Sequence, residues 1–221
     1  MTPESYELVQ CSGFVMATDP NDTNIRNRLK DFGVWEPHAT KVVLEKFRGG
    51  TFVDVGAHWG YYSMLLAQQV DRVFALEPNP ITFQYLVENV RLNGFTNVIP
   101  IQIAGWDKKA RLMAGPPSKS NTGGTKVDND TNGNVWGEAL DTLFRPNEVQ
   151  FLKIDCEGTD SKVLDGAKRI LTEGSPMILI ESPGTDLLSS LGYRQSFYSN
   201  NEGLGPTYLW SKSLNMITVM S

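Results

Sequence analysis

The sequence predicts an α/β fold in which helices cover both faces of a mostly parallel sheet. Three observations lead to this prediction. Short apolar runs rich in β-branched residues recur along the chain, helical patterns separate them, and two β-like runs stand close together near the C-terminus. Strands that alternate with helices form parallel sheets through right-handed crossovers. We therefore expect a doubly wound, three-layer αβα sandwich.

The apolar runs are predicted as strands buried on both faces, because polar residues do not alternate within them. These strands are 51–55, 72–77, 98–104, 151–156 and 177–181. The helical patterns cover 23–32, 37–47, 80–93 and 160–171. The clearest helix is 80–93, since Asn79 can cap it, Pro80 suits its first position and Gly94 can end it.

The C-terminal part predicts an antiparallel end to the sheet. Runs 207–212 and 215–220 are separated by two residues, which suits a hairpin and is too short for a parallel crossover. Upstream, residues 114–136 hold almost no apolar side chains. They predict a long polar loop, and such loops in compact domains are often functional.

Length and composition predict one domain over residues 1–221, since a chain of 221 residues with 40% hydrophobic residues can bury one sizeable core. Within it we expect an N-terminal helical or cap segment, 1–50, and a core, 51–221, in which the polar loop 114–136 is an insertion. The net charge of -5 makes nucleic acid an unlikely partner. Two cysteines, no secretory leader and no apolar run of ~20 residues favour a cytoplasmic protein without a membrane span.

The stretch after the first core strand predicts a ligand site. Ligands of parallel α/β sheets bind beyond the carboxyl ends of the strands. Gly56 and Gly60 follow Asp54 there, but His58 stands where the middle glycine of G-x-G-x-x-G would be. This departure from the motif disfavours the binding of a pyrophosphate. Glu77 follows Gly56 by 21 residues, at the end of the next strand, from which a carboxylate can accept hydrogen bonds from ribose hydroxyls.

Several segments together resemble one family. They are VDVGAHWGYYS, ALEPNP, ENVRLNG, LKIDCEGTDSKVLDGAKRIL and PMILIES, in this order between about residues 51 and 182. In order and spacing they resemble the FkbM-type family of S-adenosylmethionine-dependent methyltransferases, and KIDCEG separates this family from related enzymes. The resemblance implies the Rossmann-like class I methyltransferase fold, whose last strand is reversed.

The resemblance also implies S-adenosyl-L-methionine (SAM) as cofactor and S-adenosyl-L-homocysteine (SAH) as product. The cofactor-binding residues it implies are Asp54, Gly56, Ala57, His58, Gly60, Glu77, Pro78, Asn79, Ala104 and Gly105. The glycine turn would line the methionine moiety, and Glu77 would hold the ribose. Pro78 and Asn79 would border the adenine, with backbone contacts from Ala104 and Gly105.

For catalysis, the resemblance places Asp155 beside the methyl group, and Glu157 follows it just before a helix. Methyl transfer from a sulfonium neutralises charge, so in-line positioning does much of the work. A carboxylate in hydrogen-bond reach can then take the acceptor proton. Further candidate bases are Glu181, His38 and His58. The chain lacks the Asn-Pro-Pro-Tyr type segment of amino-methylating enzymes. An oxygen acceptor is therefore expected, on a small molecule, a sugar or a polyketide-like compound.

Two further charged residues, Lys153 and Glu36, have structural interpretations. Lys153 lies on a predicted buried strand, where its side chain could extend to solvent or pair with an acid such as Asp141. Trp35 and Glu36 precede the helix that begins at Pro37 and could cover the cofactor pocket, but the favoured interpretation is that they fix the start of that helix.

Alternative functions remain open. A nucleic-acid 2′-O-methyltransferase could use Lys153, Asp155 and Glu181, although the acidic composition disfavours it. A non-catalytic protein that binds SAM or SAH would use the same pocket. A nicotinamide oxidoreductase is disfavoured by the missing middle glycine. No spacing of potential ligand residues indicates a metal site, and the sequence gives no indication of the oligomeric state.

Overall fold

The computed structural model describes residues 3–116, 120–182, 185–201 and 205–212. Its strands are β1 (Glu7–Cys11), β2 (Phe14–Thr18), β3 (Thr51–Val55), β4 (Arg72–Leu76), β5 (Val98–Ile101), β6 (Ala104–Trp106), β7 (Ala110–Ala114), β8 (Val127–Asn129), β9 (Val135–Ala139), β10 (Phe151–Ile154), β11 (Met177–Ile180), β12 (Arg194–Asn201) and β13 (Gly205–Ser211). Its helices are α1 (Ile25–Phe32), α2 (Pro37–Lys46), α3 (Tyr61–Ala67), α4 (Pro80–Asn93), α5 (Leu140–Leu143), α6 (Asp160–Asp165) and α7 (Thr185–Ser190).

The central sheet has seven strands in the order β12-β13-β11-β10-β3-β4-β5. The five predicted core strands pair in parallel from β11 to the edge strand β5, and β13 runs antiparallel to β11 on the other side. Successive residues of β3 belong to different apolar clusters, Phe52 to one and Val53 to the other. Helices α3 and α4 contribute to the first cluster, and α6 and α7 to the second. The predicted three-layer arrangement is therefore confirmed.

Helix α4 forms where its local signals predict it. The side chain of Asn79 accepts a hydrogen bond of 2.9 Å from the main-chain N–H of Ile81, and Pro80 occupies the first turn. Gly94 ends the helix with a φ of 65°, a left-handed conformation that glycine adopts without a Cβ clash. Among the described residues, no helix combines the length and the apolar character needed to cross a bilayer.

Two predicted elements end early. Strand β5 stops at Ile101, and Ala104 begins β6, which belongs to another sheet. Helix α6 stops at Asp165. A Cβ on the next residue, Gly166, would stand 1.8 Å from the carbonyl oxygen of Trp106, so the chain approaches β6 too closely for any side chain there. A π-helical turn, Ile170–Gly174, follows.

The predicted polar loop 114–136 is wrong in part. It contains β8 and the start of β9, which form a four-stranded sheet with β6 and β7 in the order β6-β9-β7-β8. One face of this sheet buries Trp106, Leu112, Val127 and Val135. The intervening side chains are mostly polar and exposed. The strands are three to five residues long and several of their buried positions are alanine or glycine, so the apolar pattern is too weak to predict.

The C-terminal hairpin differs from the prediction in its partner. Residues 207–212 fall within or next to β13, so that strand is confirmed. It pairs with β12, whose mostly polar sequence RQSFYSNN gives little strand signal. The predicted partner, 215–220, lies outside the described residues.

The N-terminal segment contains the two predicted helices, and before them β1 and β2 form a hairpin that the sequence analysis did not predict. Side-chain amides of α4 hold β2. Asn89 accepts a hydrogen bond of 2.6 Å from the N–H of Ala17 and donates one to its carbonyl oxygen. Asn93 makes the same pair with Val15, at 2.9 and 2.7 Å. These side-chain amides satisfy the backbone hydrogen-bonding groups of β2 that would otherwise pair with a neighbouring strand.

Candidate active site

A cavity of about 220 Å³ opens at the carboxyl ends of the parallel strands. One residue following each of β3, β4, β10 and β11 lines it: Gly56, Glu77, Asp155 and Glu181. This is where ligands of parallel α/β sheets bind. Further parts of the wall come from the N-terminal segment, with Ile25, from α3, with Tyr61 and Tyr62, and from the segment before β8.

Most of the predicted site residues line this cavity. They are Gly56, Ala57, His58, Glu77, Pro78, Ala104, Gly105, Asp155 and Glu157. Asp54, Gly60 and Asn79 lie outside the lining: Asp54 is fully buried, Gly60 precedes α3 and Asn79 caps α4. His38 is exposed on α2 and also lies outside it. The binding and catalytic roles of these residues stay predictions.

The turn after β3 requires its first glycine. A Cβ on Gly56, whose φ is +78°, would stand 1.9 Å from the carbonyl oxygen of Asp155. The turn also holds His58 in a left-handed conformation with a φ of 52°. Such a conformation costs a non-glycine residue of order 1 kcal/mol and persists where surrounding contacts fix it. The turn therefore presents its backbone and one imidazole to the cavity.

Glu77 is oriented by three hydrogen bonds. Its carboxylate accepts from the main-chain N–H groups of His58 and Asn79 and from the hydroxyl of Thr82, each at 2.8 Å. Burial nevertheless raises the pKa of Glu77. A carboxylate has about four lone-pair positions, so acceptor capacity remains for a ligand hydroxyl. This fixed, buried acceptor fits the ribose of a nucleoside cofactor.

Asp54 lies in the sheet and supports the site from within. The Ser63 hydroxyl donates a hydrogen bond of 2.7 Å to its Oδ2. Its Oδ1 stands 3.8 Å from the ammonium of Lys153 and has no hydrogen-bond partner in the described part of the chain. Burial raises the pKa of Asp54. It is placed to attract Lys153 more than to touch a ligand.

Lys153 pairs with Asp155, and the predicted pairing with Asp141 is wrong. The ammonium nitrogen lies 2.8 Å from Oδ2 of Asp155 and 5.2 Å from the ring centroid of Tyr62. Asp141 instead accepts hydrogen bonds from the main-chain N–H groups of Arg169 and Ile170. Burial opposes ionisation of Asp155, but the charge and hydrogen bond of Lys153 outweigh it and lower the pKa of Asp155. Asp155 is therefore an ionised carboxylate at the cavity wall.

His58 belongs to a hydrogen-bond chain that crosses the cavity. Its Nε2 lies 2.8 Å from the hydroxyl of Thr122, which donates at 2.8 Å to Asp22. Because the single hydroxyl proton goes to Asp22, Nε2 of His58 carries its own proton and donates it. Burial lowers the pKa of His58 to about 4, so the ring is neutral at pH 7 with Nδ1 unprotonated.

Sequence reasoning missed Asp22 and Thr122. Asp22 is fully buried, and it also accepts main-chain hydrogen bonds from Ile25 and Thr122 at 2.7 and 2.8 Å. It thereby joins the N-terminal segment to the segment before β8 over the cavity. The sequence DPNDTN gives a local signal for Asp22, because an acid directly before the helical pattern 23–32 can accept main-chain hydrogen bonds there. No local signal indicates its contact with Thr122, which lies 100 residues further along the chain.

The fold and site together define an α/β protein whose parallel strands end at a cavity lined by Glu77 and Asp155. The family model described as "Methyltransferase FkbM domain" matches residues 54–188, more than half of the chain. The chain belongs to the FkbM methyltransferase family.

Two curated relatives show similarity over parts of their length. The tRNA (guanine(37)-N(1))-methyltransferase Trm5b of Pyrococcus abyssi is 43% identical over 103 residues, which cover 43% of this chain and 31% of the relative. The hexuronic acid methyltransferase AglP of Haloferax volcanii is 29% identical over 137 residues, 60% of this chain and 56% of the relative. The chain thus spans about a third of the first and just over half of the second.

Solved structures confirm the fold. The FkbM methyltransferase of Methylobacillus flagellatus KT superposes with a TM-score of 0.55 and 20% identity, covering 74% of this chain and 43% of that one. TYW2 of Methanocaldococcus jannaschii, solved in complex with AdoMet, gives a TM-score of 0.56 and 17% identity, covering 96% and 86%. The predicted class I methyltransferase fold is therefore confirmed.

Proposed function

We propose that this protein is a SAM-dependent methyltransferase that methylates a hydroxyl oxygen of a small-molecule or carbohydrate acceptor. The observation that carries the proposal is the convergence of Glu77 and ionised Asp155 on one cavity at the strand ends. Membership of the FkbM family supports the reaction class. The expectation of a cytoplasmic location belongs to the same proposal.

The lining residues fit the cofactor in their chemistry. Glu77 would accept hydrogen bonds from the ribose, while Pro78 and the backbone of Ala104 and Gly105 would border the base. The backbone of the turn at Gly56 would approach the methionine part. When bound, SAM supplies an electrophilic methyl group on a sulfonium.

Asp155 would take the acceptor proton. Lys153 keeps it ionised, and its position at the cavity wall leaves lone pairs directed away from the ammonium. As the acceptor oxygen bonds to the methyl group, its O–H bond breaks and a proton passes to the Asp155 carboxylate. Glu157, exposed at the same cavity, would orient the acceptor hydroxyl or serve as the alternative base.

A carbohydrate acceptor is favoured by the relative AglP, whose substrate is a hexuronic acid. Uncharged hydroxyl compounds also suit a wall that carries Asp155, Glu157 and Glu181. The identity of the sugar is not part of the proposal.

The test begins with calorimetric titration of the full chain with SAH and, separately, NAD. We expect binding of SAH and none of NAD. Incubation with ¹³C-methyl SAM and a panel of monosaccharides and uronides should then give an O-methyl carbon signal by NMR, which the Asp155→Asn variant loses. A methyl group found on nitrogen or carbon would contradict the oxygen acceptor, and NAD binding without SAH binding would contradict the cofactor.

A nucleic-acid acceptor is the second candidate. The Trm5b similarity favours it, as does an exposed Trp136 with the guanidinium of Arg111 4.6 Å and the ammonium of Lys109 5.6 Å from its ring centroid. Cations beside an exposed ring suit base stacking and phosphate contacts. Filter binding of unmodified tRNA that weakens with salt and with Arg111→Ala would support this candidate, and salt-independent retention or none would contradict it.

A further inference from the structure

Several carboxyl groups gather on a second, smaller space beside the cavity. This space, about 10 Å³, is lined by Glu36, Lys153, Asp155, Glu181 and Thr207, together with apolar residues of β10 and β11. Asp155 and Glu181 line the main cavity as well. The volume matches about one water molecule, too little for a ligand. The feature is therefore a group of interacting acids and not a second binding pocket.

Sheet register places two of these acids side by side. Ile154 of β10 pairs in parallel with Ile180 of β11, so Asp155 and Glu181 occupy the next position on adjacent strands. Neighbouring residues at one register position project to the same face of a sheet. Both side chains also line the main cavity and the small space beside it. Two carboxyl groups that share so small a space disfavour each other's ionisation, which favours a proton on one of them.

The position of Lys153 decides which acid is ionised. Its ammonium contacts Asp155 at 2.8 Å and Asp54 at 3.8 Å. The positive charge therefore stabilises the carboxylate of Asp155. Burial and the negative charge of Asp155 raise the pKa of Glu181 to about 10.

Glu36 also lines this small space. Sequence reasoning assigned it to the start of α2, but its side chain makes no cap hydrogen bond there, and its φ of 44° is left-handed. Only 4% of it is exposed. Its carboxyl accepts hydrogen bonds from the hydroxyls of Tyr62 at 2.6 Å and Thr207 at 3.4 Å. A strained backbone with a buried acid indicates a position fixed by this cluster.

The polar and charged groups near Glu181 come from five packed elements or their ends. They are Asp54 on β3, Tyr62 on α3, Lys153 and Asp155 at β10, Thr207 on β13, Glu36 before α2, and His58 in the glycine turn. Four of these groups are acids or a phenol and one is a cation already bound to Asp155. The surroundings therefore disfavour a further negative charge on Glu181.

We propose that Glu181 is a neutral carboxylic acid that donates a hydrogen bond to ionised Asp155, with Glu36 closing the other side of the pair. Glu181 is then a positioning residue. It occupies one lone pair of Asp155, Lys153 occupies another, and the remaining ones face the cavity. The functional meaning rests on the proposed role of Asp155 as base, whereas the charge assignment can be tested without cofactor or acceptor.

The test is an NMR titration of the ligand-free full chain labelled with ¹³C at the Glu and Asp side-chain carboxyl carbons. We expect one Glu signal to remain at the protonated position at pH 8 and to titrate near pH 10. The signal should be missing from Glu181→Gln, which assigns it. If every Glu signal of the wild type has titrated below pH 7, the proposal is overturned.

Two variants test the neighbours. Asp155→Asn and Glu36→Gln each remove a negative charge near Glu181, so each should lower its titration midpoint, Asp155→Asn by more. Glu45→Gln, an exposed substitution on α2, is the matched control and should leave the midpoint unchanged. An unchanged midpoint in Asp155→Asn would show that the two groups are not paired. Circular dichroism at each pH checks folding, and the wild-type titration decides the proposal if a variant unfolds.

The conservative variant Glu181→Gln distinguishes a hydrogen-bond donor from a general base at this position. Glu181→Gln keeps a neutral hydrogen-bond donor of the same shape, so it should bind SAH within about twofold of wild type and keep methyl transfer at pH 7. Glu181→Ala should lose transfer. Loss of transfer in Glu181→Gln with intact SAH binding would make Glu181 an ionised base and overturn the proposal. Failure of SAH binding in the wild type would instead contradict the proposed function and leave the titration result standing.

Discussion

The carboxylate of Glu77 accepts a hydrogen bond of 2.8 Å from the main-chain N–H of His58. The acid that would hold a ribose is thereby tied to the turn that would hold the methionine part of the same cofactor. A shift of the Glu77 carboxylate or of the turn at His58 alone would break this hydrogen bond. Substitutions at Glu77 should therefore affect the whole cofactor site.

Glu77→Ala should weaken SAH binding by about 10- to 150-fold, since hydrogen bonds to a charged group contribute about 1.5–3 kcal/mol. Calorimetric titration of the folded variant measures the change. Glu77→Gln keeps the packing and one acceptor oxygen and should lose less. Equal affinity of wild type and Glu77→Ala would remove Glu77 from the ribose role.

Asp155→Asn should lower methyl transfer by about 10²–10⁴-fold, the usual contribution of a general base. SAH affinity should change far less, because the residue acts on the acceptor proton. Single-turnover transfer and calorimetry on one preparation separate the two effects. Comparable losses in both would show that Asp155 serves mainly to bind the cofactor.

Thr122→Val should loosen the link over the cavity. The hydroxyl bridges His58 and Asp22, so its removal leaves two buried polar groups without that partner and should cost about 1–3 kcal/mol of the free energy of unfolding. Urea unfolding measures it. Thr125→Val, whose hydroxyl donates a hydrogen bond to the carbonyl oxygen of Thr122, is the matched control and should cost less.

Stability should fall as the pH is lowered from 6.5 to 4, because of His58. Burial lowers its pKa from 6.5 to about 4, so in this window the unfolded chain binds a proton that the folded protein does not. A shift of this size corresponds to ~3 kcal/mol. Urea unfolding of wild type and His58→Asn across the window checks this, and a parallel pH dependence in both would assign the loss to other groups.

The sequence predicted elements whose signals are local. Helix α4 has its cap, its first proline and its final glycine within 16 residues, and the core strands are uniformly apolar. Strands β8 and β12 escaped prediction because each is mostly polar and depends on pairing with a neighbour. Sheet order and the extent of the small second sheet are likewise properties of distant pairs.

The residues of the site also divide into those with a local sequence signal and those that depend on distant partners. Glu77, Gly56 and Asp155 follow apolar strands directly, so their convergence could be predicted from the parallel arrangement. The partners of those residues could not. Lys153 was assigned to Asp141, although its register partner in β3 is Asp54 and its nearest acid is Asp155. Thr122 meets His58 across 64 residues of sequence, and no local pattern specifies such a contact.

The N-terminal segment, which carries Asp22 and Glu36, precedes the region 54–188 that defines family membership. One part of the cavity wall is thus built from residues inside that region, and another part comes from residues that precede it. Ile25 and Leu29 of this segment line the cavity and also belong to the main apolar cluster. Removing the segment would therefore expose the hydrophobic core as well as open the cavity, so the two ends of the site depend on one continuous core.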